Sequence, residues 1–175
     1  MLAPGTSLLT WGDVPIKAVL TKLSDRRLLV PCKTIYKSIL AFMGDQKGTA
    51  PPCPAAKGVE VLQMCEREPE LRVEALVQLL KQANANPRDE SRARGLALLG
   101  LFLAHFHPPP ALENFVEAFL IGQSSEGVQG AEGVRRILHH KIIQGASKEV
   151  KVTLRQVMDV WESPTAEGVL TAVGF

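Results

Sequence analysis

Apolar residues in this chain recur mostly three or four positions apart, and sustained alternation is hard to find. The pattern therefore predicts helices separated by clear breaks. Asp13 can cap a first helix, with Pro15 in its opening turn and Ile16, Val19, Leu20 and Leu23 on one face, ending at Ser24 and Asp25. A second runs from Pro31 to about Met43, with Ile35, Ile39 and Phe42 in period, and Gly44-Asp45 stops it. Residues 46–57 hold Pro51, Pro52 and Pro54 and no apolar period, so they read as a loop. A third helix is expected over 58–67 and a fourth from Pro69, whose inner face is Leu71, Ala75, Leu76, Leu79 and Leu80. Asp89, Glu90 and Ser91 suit the positive end of a fifth helix, whose centre from Leu96 to Leu103 is apolar all round. A helix of that kind is enclosed by others, so it is the predicted central helix.

The triple proline Pro108 to Pro110 breaks the chain. A sixth helix then carries Leu112, Phe115, Val116, Phe119 and Leu120 on one stripe. A seventh, about Ala131 to Gln144, buries Val134, Ile137, Leu138 and Ile142, with Gly145 as its C-cap. An eighth begins at Thr153, carries Leu154, Val157, Met158 and Trp161, and ends at Ser163-Pro164. The expected fold is all-α, a compact globular domain of about eight helices around a buried central helix. Its expected bounds are residues 11–163, with 1–10 and 164–175 as flanking segments. No fixed-period repeat and no low-complexity tract interrupt it.

Composition narrows the function more than it names it. The 175 residues are 46% apolar and 22% charged, ordinary for a folded domain, and the formal charge is only +2. Aromatics make up 5%, with Tyr36 the single tyrosine, which is thin for stacking single-stranded bases, so nucleic acid is not an expected partner. The longest apolar stretch, Gly95 to Ala104, is half the ~20 residues a membrane-spanning helix needs. Cys32, Cys53 and Cys65 fit no zinc spacing, and no signal peptide is read at Met1, so a reducing, cytoplasmic setting is the expectation.

Candidate chemistry is sparse. His105 and His107 lie two apart and His139 and His140 are adjacent, whereas helical metal ligands meet at three or four. Cys65 has mainly acidic neighbours, Glu66 and Glu68, which would not activate a thiol, and it reads as a small core residue. Glu70 and Glu74 are four apart, but no apolar pocket is apparent to raise either pKa, so they read as a solvated acidic face. No phosphate loop or dinucleotide fingerprint occurs. The expectation is a non-enzymatic chain with no metal and no cofactor.

Charge is the informative property. Lys22, Arg26, Arg27, Lys33, Lys37 and Lys47 face only Asp25 and Asp45 in their block. Between Glu60 and Glu74 five glutamates reverse the sign. Arg135, Arg136, Lys141, Lys148, Lys151 and Arg155 then form a second basic block, and Arg92 and Arg94 add to the positive side. Such polarity steers acidic partners.

Three stretches together resemble the myosin tail homology 4 (MyTH4) domain. The run Ile35-Tyr36-Lys37-Ser38-Ile39-Leu40-Ala41-Phe42-Met43-Gly44-Asp45 is similar to the family's helix ending in an aromatic-Met-Gly-Asp turn. The run from Leu71-Arg72-Val73-Glu74 to Lys81-Gln82, then Asn86-Pro87, is similar to its Leu-Arg-x-Glu…Lys-Gln…Asn-Pro segment. The run from Ser91 through Arg94-Gly95-Leu96 to Leu99, then Phe106-His107-Pro108, matches its Arg-Gly-Trp-x-Leu-Leu…Phe-x-Pro segment, with Leu96 in place of the tryptophan. Val73 replaces an acidic residue and Ala75 a larger aliphatic. The resemblance covers about Trp11 to Trp161, and its motif residues read as fold-holders: Gly44 as a C-cap, Arg72 and Glu74 as ties between helix ends, Phe106 closing the core.

The resemblance implies a non-catalytic interaction module of an unconventional-myosin-like tail. It would bind a cargo protein or a microtubule, with a FERM domain beside it in the parent chain and a cytoskeletal location. ATP hydrolysis belongs to a motor domain and is not implied. Candidate contacts for an acidic partner are Arg26, Arg27, Lys33, Lys37, Arg135, Arg136 and Lys141, chosen from charge clustering and not from the family's motifs. The alternative expectation is a regulatory or scaffold helical domain of a non-motor signalling protein that takes a peptide in a groove.

Overall fold

The structure is a computed structural model, described here for residues 9–144 and 152–174. Among these residues the chain forms eight α-helices and no strand: α1 (Leu29–Met43), α2 (Pro54–Arg67), α3 (Leu71–Ala83), α4 (Asp89–His105), α5 (Pro110–Ser125), α6 (Ala131–Gln144), α7 (Leu154–Glu162) and α8 (Ala166–Ala172). A short 3₁₀ turn, Arg26–Leu28, leads into α1.

The apolar run in α4 does what its pattern demands. Every residue from Gly95 to Ala104 is buried, and α1, α3, α6, α7 and α8 all pack against this helix. Phe106, just past its end, stacks edge-on against Phe102 and lies under the Arg72 guanidinium. Truncating a leucine at such a site costs ~2–5 kcal/mol. The outer helix α5 packs mainly on α6.

The expected helix over residues 13–24 is absent. That segment is an irregular strap lying along α3. The amides of Leu20 and Thr21 both donate to the Glu74 carboxylate, at 2.9 and 2.7 Å, so a tertiary acceptor stands where a helix would use its own carbonyls. At the strap's other end, the Gly12 carbonyl accepts from Gln82 and the Thr10 carbonyl from Lys81, while the Trp11 amide donates to the Asn84 carbonyl. Local periodicity loses here to hydrogen bonds made by a distant helix.

The helix count reaches eight through α8, which lies in the segment 164–175. Thr165 caps it by accepting from the Gly168 amide, and Val169 and Leu170 are buried against α4 and α6. With seven residues it is too short to show a period. Helix α2 starts at Pro54, four residues before the expected Gly58. Gly58 is interior because a Cβ there would sit 2.8 Å from the Phe42 ring and 2.9 Å from Val157.

Three predicted inward residues face out. Phe115 is 51% exposed, Ile142 and Leu154 are exposed as well, and the buried residues of α5 are Val116, Leu120 and Gln123. On α6 the position next to Ile142, Lys141, takes the inner place. The predicted cap Gly145 and the basic residues Lys148 and Lys151 lie outside the described residues.

Candidate functional site

Two buried carboxylates organise one side of the domain. Gly44, at φ 81°, closes α1 in the left-handed conformation and turns Asp45 inward. There Asp45 accepts from the Trp11 indole at 2.8 Å, from Ser91 at 2.6 Å, and from Gln82 and Asn86, and pairs with Arg88 at 2.8 Å. Glu74 was expected on a solvated acidic face and is instead fully buried. It accepts from both strap amides, from the Thr21 hydroxyl at 2.6 Å and from Gln78 at 2.9 Å. Arg72 donates to the Cys65 carbonyl at 2.9 Å, tying α3 to the end of α2. These motif residues hold the strap and the helix ends together, and both oxygens of each carboxylate are engaged internally.

Burial governs the reactive groups as well. It pushes the Cys32 thiol up to about 11 and the Cys65 thiol up to about 12, so both stay protonated and inert at neutral pH. Tyr36 is likewise pushed up to about 12, and its hydroxyl donates to Gln82 at 2.7 Å. Among the described residues no three His, Cys, Asp or Glu side chains stand close enough to hold a metal ion. No helix among them is long and apolar enough to cross a membrane.

The seven basic candidates divide between two sides of α4. Arg26, Arg27, Lys33 and Lys37 are all exposed on the 3₁₀ turn and α1. Arg27 is held by Asp25, its Nε 2.6 Å from Oδ2. Arg26, Lys33 and Lys37 carry no ion pair among the described residues. With Val30 they fall at positions 26, 30, 33 and 37, one helical stripe, and Val30 is 73% exposed.

The other three candidates sit on α6, which packs on α4, α5 and α8. Arg135 is half-buried and committed: its Nε is 2.8 Å from Glu117 on α5, and its Nη1 is 3.1 Å from Glu132. His139 Nε2 joins the same Glu117 at 2.9 Å. Arg136 is exposed. Lys141, expected at the surface, is only 7% exposed, because the helix turns that position toward the core; burial lowers its pKa. The seven therefore do not form one face. Charge clustering along the sequence cannot distinguish a free cation from one that a neighbouring helix has paired or enclosed.

Sequence reasoning missed the exposed Val30 in the stripe and two concavities. One, about 560 Å³, lies between the start of α4, the α5–α6 connection and the α7–α8 junction, and is lined by Asp89, Glu90, Glu126, Glu162 and Arg92 among others. Arg92 is tied there to Gln123 and Glu126. The other, about 280 Å³, adjoins the end of the α1 stripe. Neither has a histidine or cysteine in its lining. What the α1 side can do chemically is attract and hold negative charge.

Comparison with known proteins places the chain. The family model described as the MyTH4 domain matches residues 58–160. The high molecular weight form of myosin-1 from Acanthamoeba castellanii is 33% identical over 116 residues, which is 66% of this chain and 7% of that protein. Human unconventional myosin-XV is 29% identical over 149 residues, 83% of this chain and 4% of that one. The chain thus spans a small part of the relatives it matches. Among solved structures, the human myosin 7b C-terminal MyTH4-FERM domain in complex with the harmonin-a PDZ3 domain superposes with a TM-score of 0.79 at 23% identity, covering 94% of this chain and 34% of that one. The Dictyostelium discoideum myosin VII MyTH4-FERM MF2 domain gives 0.74 at 19% identity, over 93% and 35%. Those two likenesses are of fold; the family-model match spans more than half of the chain, and with the central α4 and the Met-Gly-Asp turn it makes this chain a member of the MyTH4 domain family.

Proposed function

We propose that this domain is a non-catalytic protein-binding module of a myosin-like tail, and that its α1 stripe draws in an acidic protein surface, a microtubule first of all. The observation that carries the reading is the stripe itself: Arg26, Lys33 and Lys37 point outward on one face with no carboxylate partner among the described residues. Arg27 flanks it, partly neutralised by Asp25. On the α6 side Arg136 keeps an exposed charge free of the Glu117 network, but it stands apart from the stripe and only a partner that extends around α4 would reach it. Arg135 and Lys141 are kept for the fold.

The setting agrees with this. The matched structures are MyTH4-FERM pairs of which this chain covers about a third, so a FERM domain beside it in a longer tail, and a cytoskeletal, cytoplasmic location, belong to the same proposal. The myosin 7b structure contains a protein partner, which favours protein binding as the general activity.

Exposed cations of this kind act through screened Coulomb attraction, which fades beyond a Debye length of ~10 Å at 0.1 M salt. Co-sedimentation with microtubules tests the reading. Binding is expected at low salt, is expected to weaken steeply as salt rises, and is expected to fall at least about tenfold in Lys33→Glu/Lys37→Glu. Binding that ignores both salt and the double reversal would refute it.

A further inference from the structure

Lys37 belongs to two features at once. It ends the α1 stripe, and it lines the cavity of about 280 Å³ whose other walls are Asp13, Pro15, Leu40, Gln46 and Lys47. Leu40, only 2% exposed, is the recessed residue of this set, and Pro15 adds a second apolar surface. The rim is charged: Lys37, Lys47 and Asp13. Asp13 already holds Lys47, Oδ2 to Nζ at 2.9 Å, and this contact keeps the Asp13 carboxyl below its usual range. The volume suits one large side chain; ligand pockets for drug-sized molecules run ~300–1,000 Å³.

We propose that this cavity receives a single apolar side chain from an acidic protein segment whose carboxylates lie along the stripe, and that Asp13 competes with that segment for Lys47. The inference rests on the reading that the stripe is the binding surface, and it adds what the partner must look like. From Arg26 to Lys37 the stripe advances about 18 Å, rising ~2.0 Å per residue through the 3₁₀ turn and ~1.5 Å per residue along α1. An extended segment covers that length in about five residues at ~3.3 Å each. The partner motif is therefore a short acidic run ending in one large apolar residue. Charge complementarity selects the acidic run, and the apolar floor selects the anchor. A nucleic-acid backbone carries no such anchor, and the stripe offers Val30 rather than an aromatic side chain to a base. Asp13 makes the site self-masking: with Lys47 engaged internally, weakly acidic segments gain nothing from it, and a strongly acidic one displaces the carboxylate.

Fluorescence anisotropy on the whole chain tests this with two labelled oligoglutamate peptides, one ending in tryptophan and one in serine. The tryptophan peptide is expected to bind about tenfold more tightly, from partial burial of one large side chain. Gln46→Trp, which fills the cavity from its exposed wall, should abolish that difference and leave the serine peptide unaffected. Asp13→Asn should tighten both peptides about threefold by releasing Lys47, a gain that a purely structural role for Asp13 would not produce. Thermal melts of both variants establish that they fold. Equal affinity for the two peptides, both lost in Lys33→Glu/Lys37→Glu, overturns the cavity and leaves the stripe standing. Affinity that the double reversal does not change overturns the stripe itself. Displacement by phosphatidylserine vesicles or inorganic polyphosphate with no dependence on the anchor overturns the acidic-protein assignment.

Discussion

Helix α1 with the 3₁₀ turn that leads into it, and helix α6, both carry arginines and lysines and use them in opposite ways. Both lean on α4, from different sides. Helix α1 contains no acidic residue, and its cations stand at positions that face no other helix. Helix α6 brings Glu132 itself and meets Glu117 from α5, so Arg135 is consumed in a network and Lys141 is folded inside. Charge that a neighbour pairs serves cohesion, and charge that nothing pairs is available to a partner. That contrast can be broken by exchanging the two fates, one residue at a time.

The largest effect is expected from Lys141→Glu against Lys33→Glu. Reversing a lysine that is almost enclosed places a carboxylate where burial already disfavours the charged form and breaks whatever that lysine holds, costing ~3 kcal/mol. Reversing Lys33 on the open face should change stability by less than ~0.5 kcal/mol. Urea denaturation midpoints of the two variants, at unchanged slope, measure the gap. Equal midpoints would place Lys141 outside the core.

The inner faces of the same helices differ in alkaline solution. Cys32, on the inner face of α1, is raised from 9.0 to about 11 by burial, and Cys65 beside it on α2 from 9.0 to about 12. A raised pKa means the folded chain keeps a proton that the unfolded chain has lost. Their contribution is whole below pH 9 and drains away as pH climbs through 11, by up to ~1.4 kcal/mol per pH unit for each group. Lys141 and Lys81 have lowered values, so the folded chain sheds their protons first and the cost of burying them fades as pH approaches 10.5. The α1 side thus loses stability above pH 9 while the α6 lysine regains some. Cys32→Ala should flatten the fall, and Lys141→Met should steepen it. Stability measured across that range in both variants fixes the two signs, and a fall unaltered by Cys32→Ala would contradict the assignment.

These contrasts also explain what could be read in advance. The α4 axle was legible because an all-round apolar run has one stable solution, enclosure. The Met43-Gly44-Asp45 turn was legible because glycine at that place ends a helix. The strap was not. Ile16, Val19, Leu20 and Leu23 have a helical period, and only Glu74, more than fifty positions away, decides otherwise. The solvated-face reading of Glu74 fails for the mirror-image reason, while its reading as a tie stands: spacing sets which face of a helix a carboxylate occupies, but not what covers that face. For the candidate site, sequence supplied the cations and could not sort them, since Glu117 reaches Arg135 only through the packing of α5 on α6. On the α1 side Arg26, Lys33 and Lys37 meet no such partner among the described residues, whereas Arg27 meets Asp25. The cavity beside Lys37 is assembled from Asp13, Pro15, Leu40 and Lys47, which no local pattern brings together.

Binding separates the helices by a smaller energy than folding does. A tenfold loss for Lys33→Glu/Lys37→Glu corresponds to ~1.4 kcal/mol. Arg136→Glu, on the exposed side of α6, should change microtubule affinity by less than about twofold if the partner touches α1 alone. A comparable loss from Arg136→Glu would mean that the contact surface extends around α4, and the stripe would be one end of it.

The smallest expected difference lies between Arg135→Ala and Arg26→Ala. Arg135 joins α6 to α5 through Glu117 and is only partly exposed, so its removal forfeits its charge-assisted hydrogen bonds to Glu117 and Glu132 and leaves Glu117 with His139. Solvent screens such a pair, so the loss should be small, read as a slight fall in the denaturation midpoint. Arg26 holds nothing among the described residues, so its removal should leave stability within experimental scatter and cost only affinity. Because α5 rests mainly on α6, hydrogen exchange offers the sharper readout: Arg135→Ala should speed exchange in α5 while α1 and α4 keep their protection. Uniform acceleration would mean that α5 does not open separately, and that the Arg135 network stabilises the domain as one unit rather than fastening its outer helix.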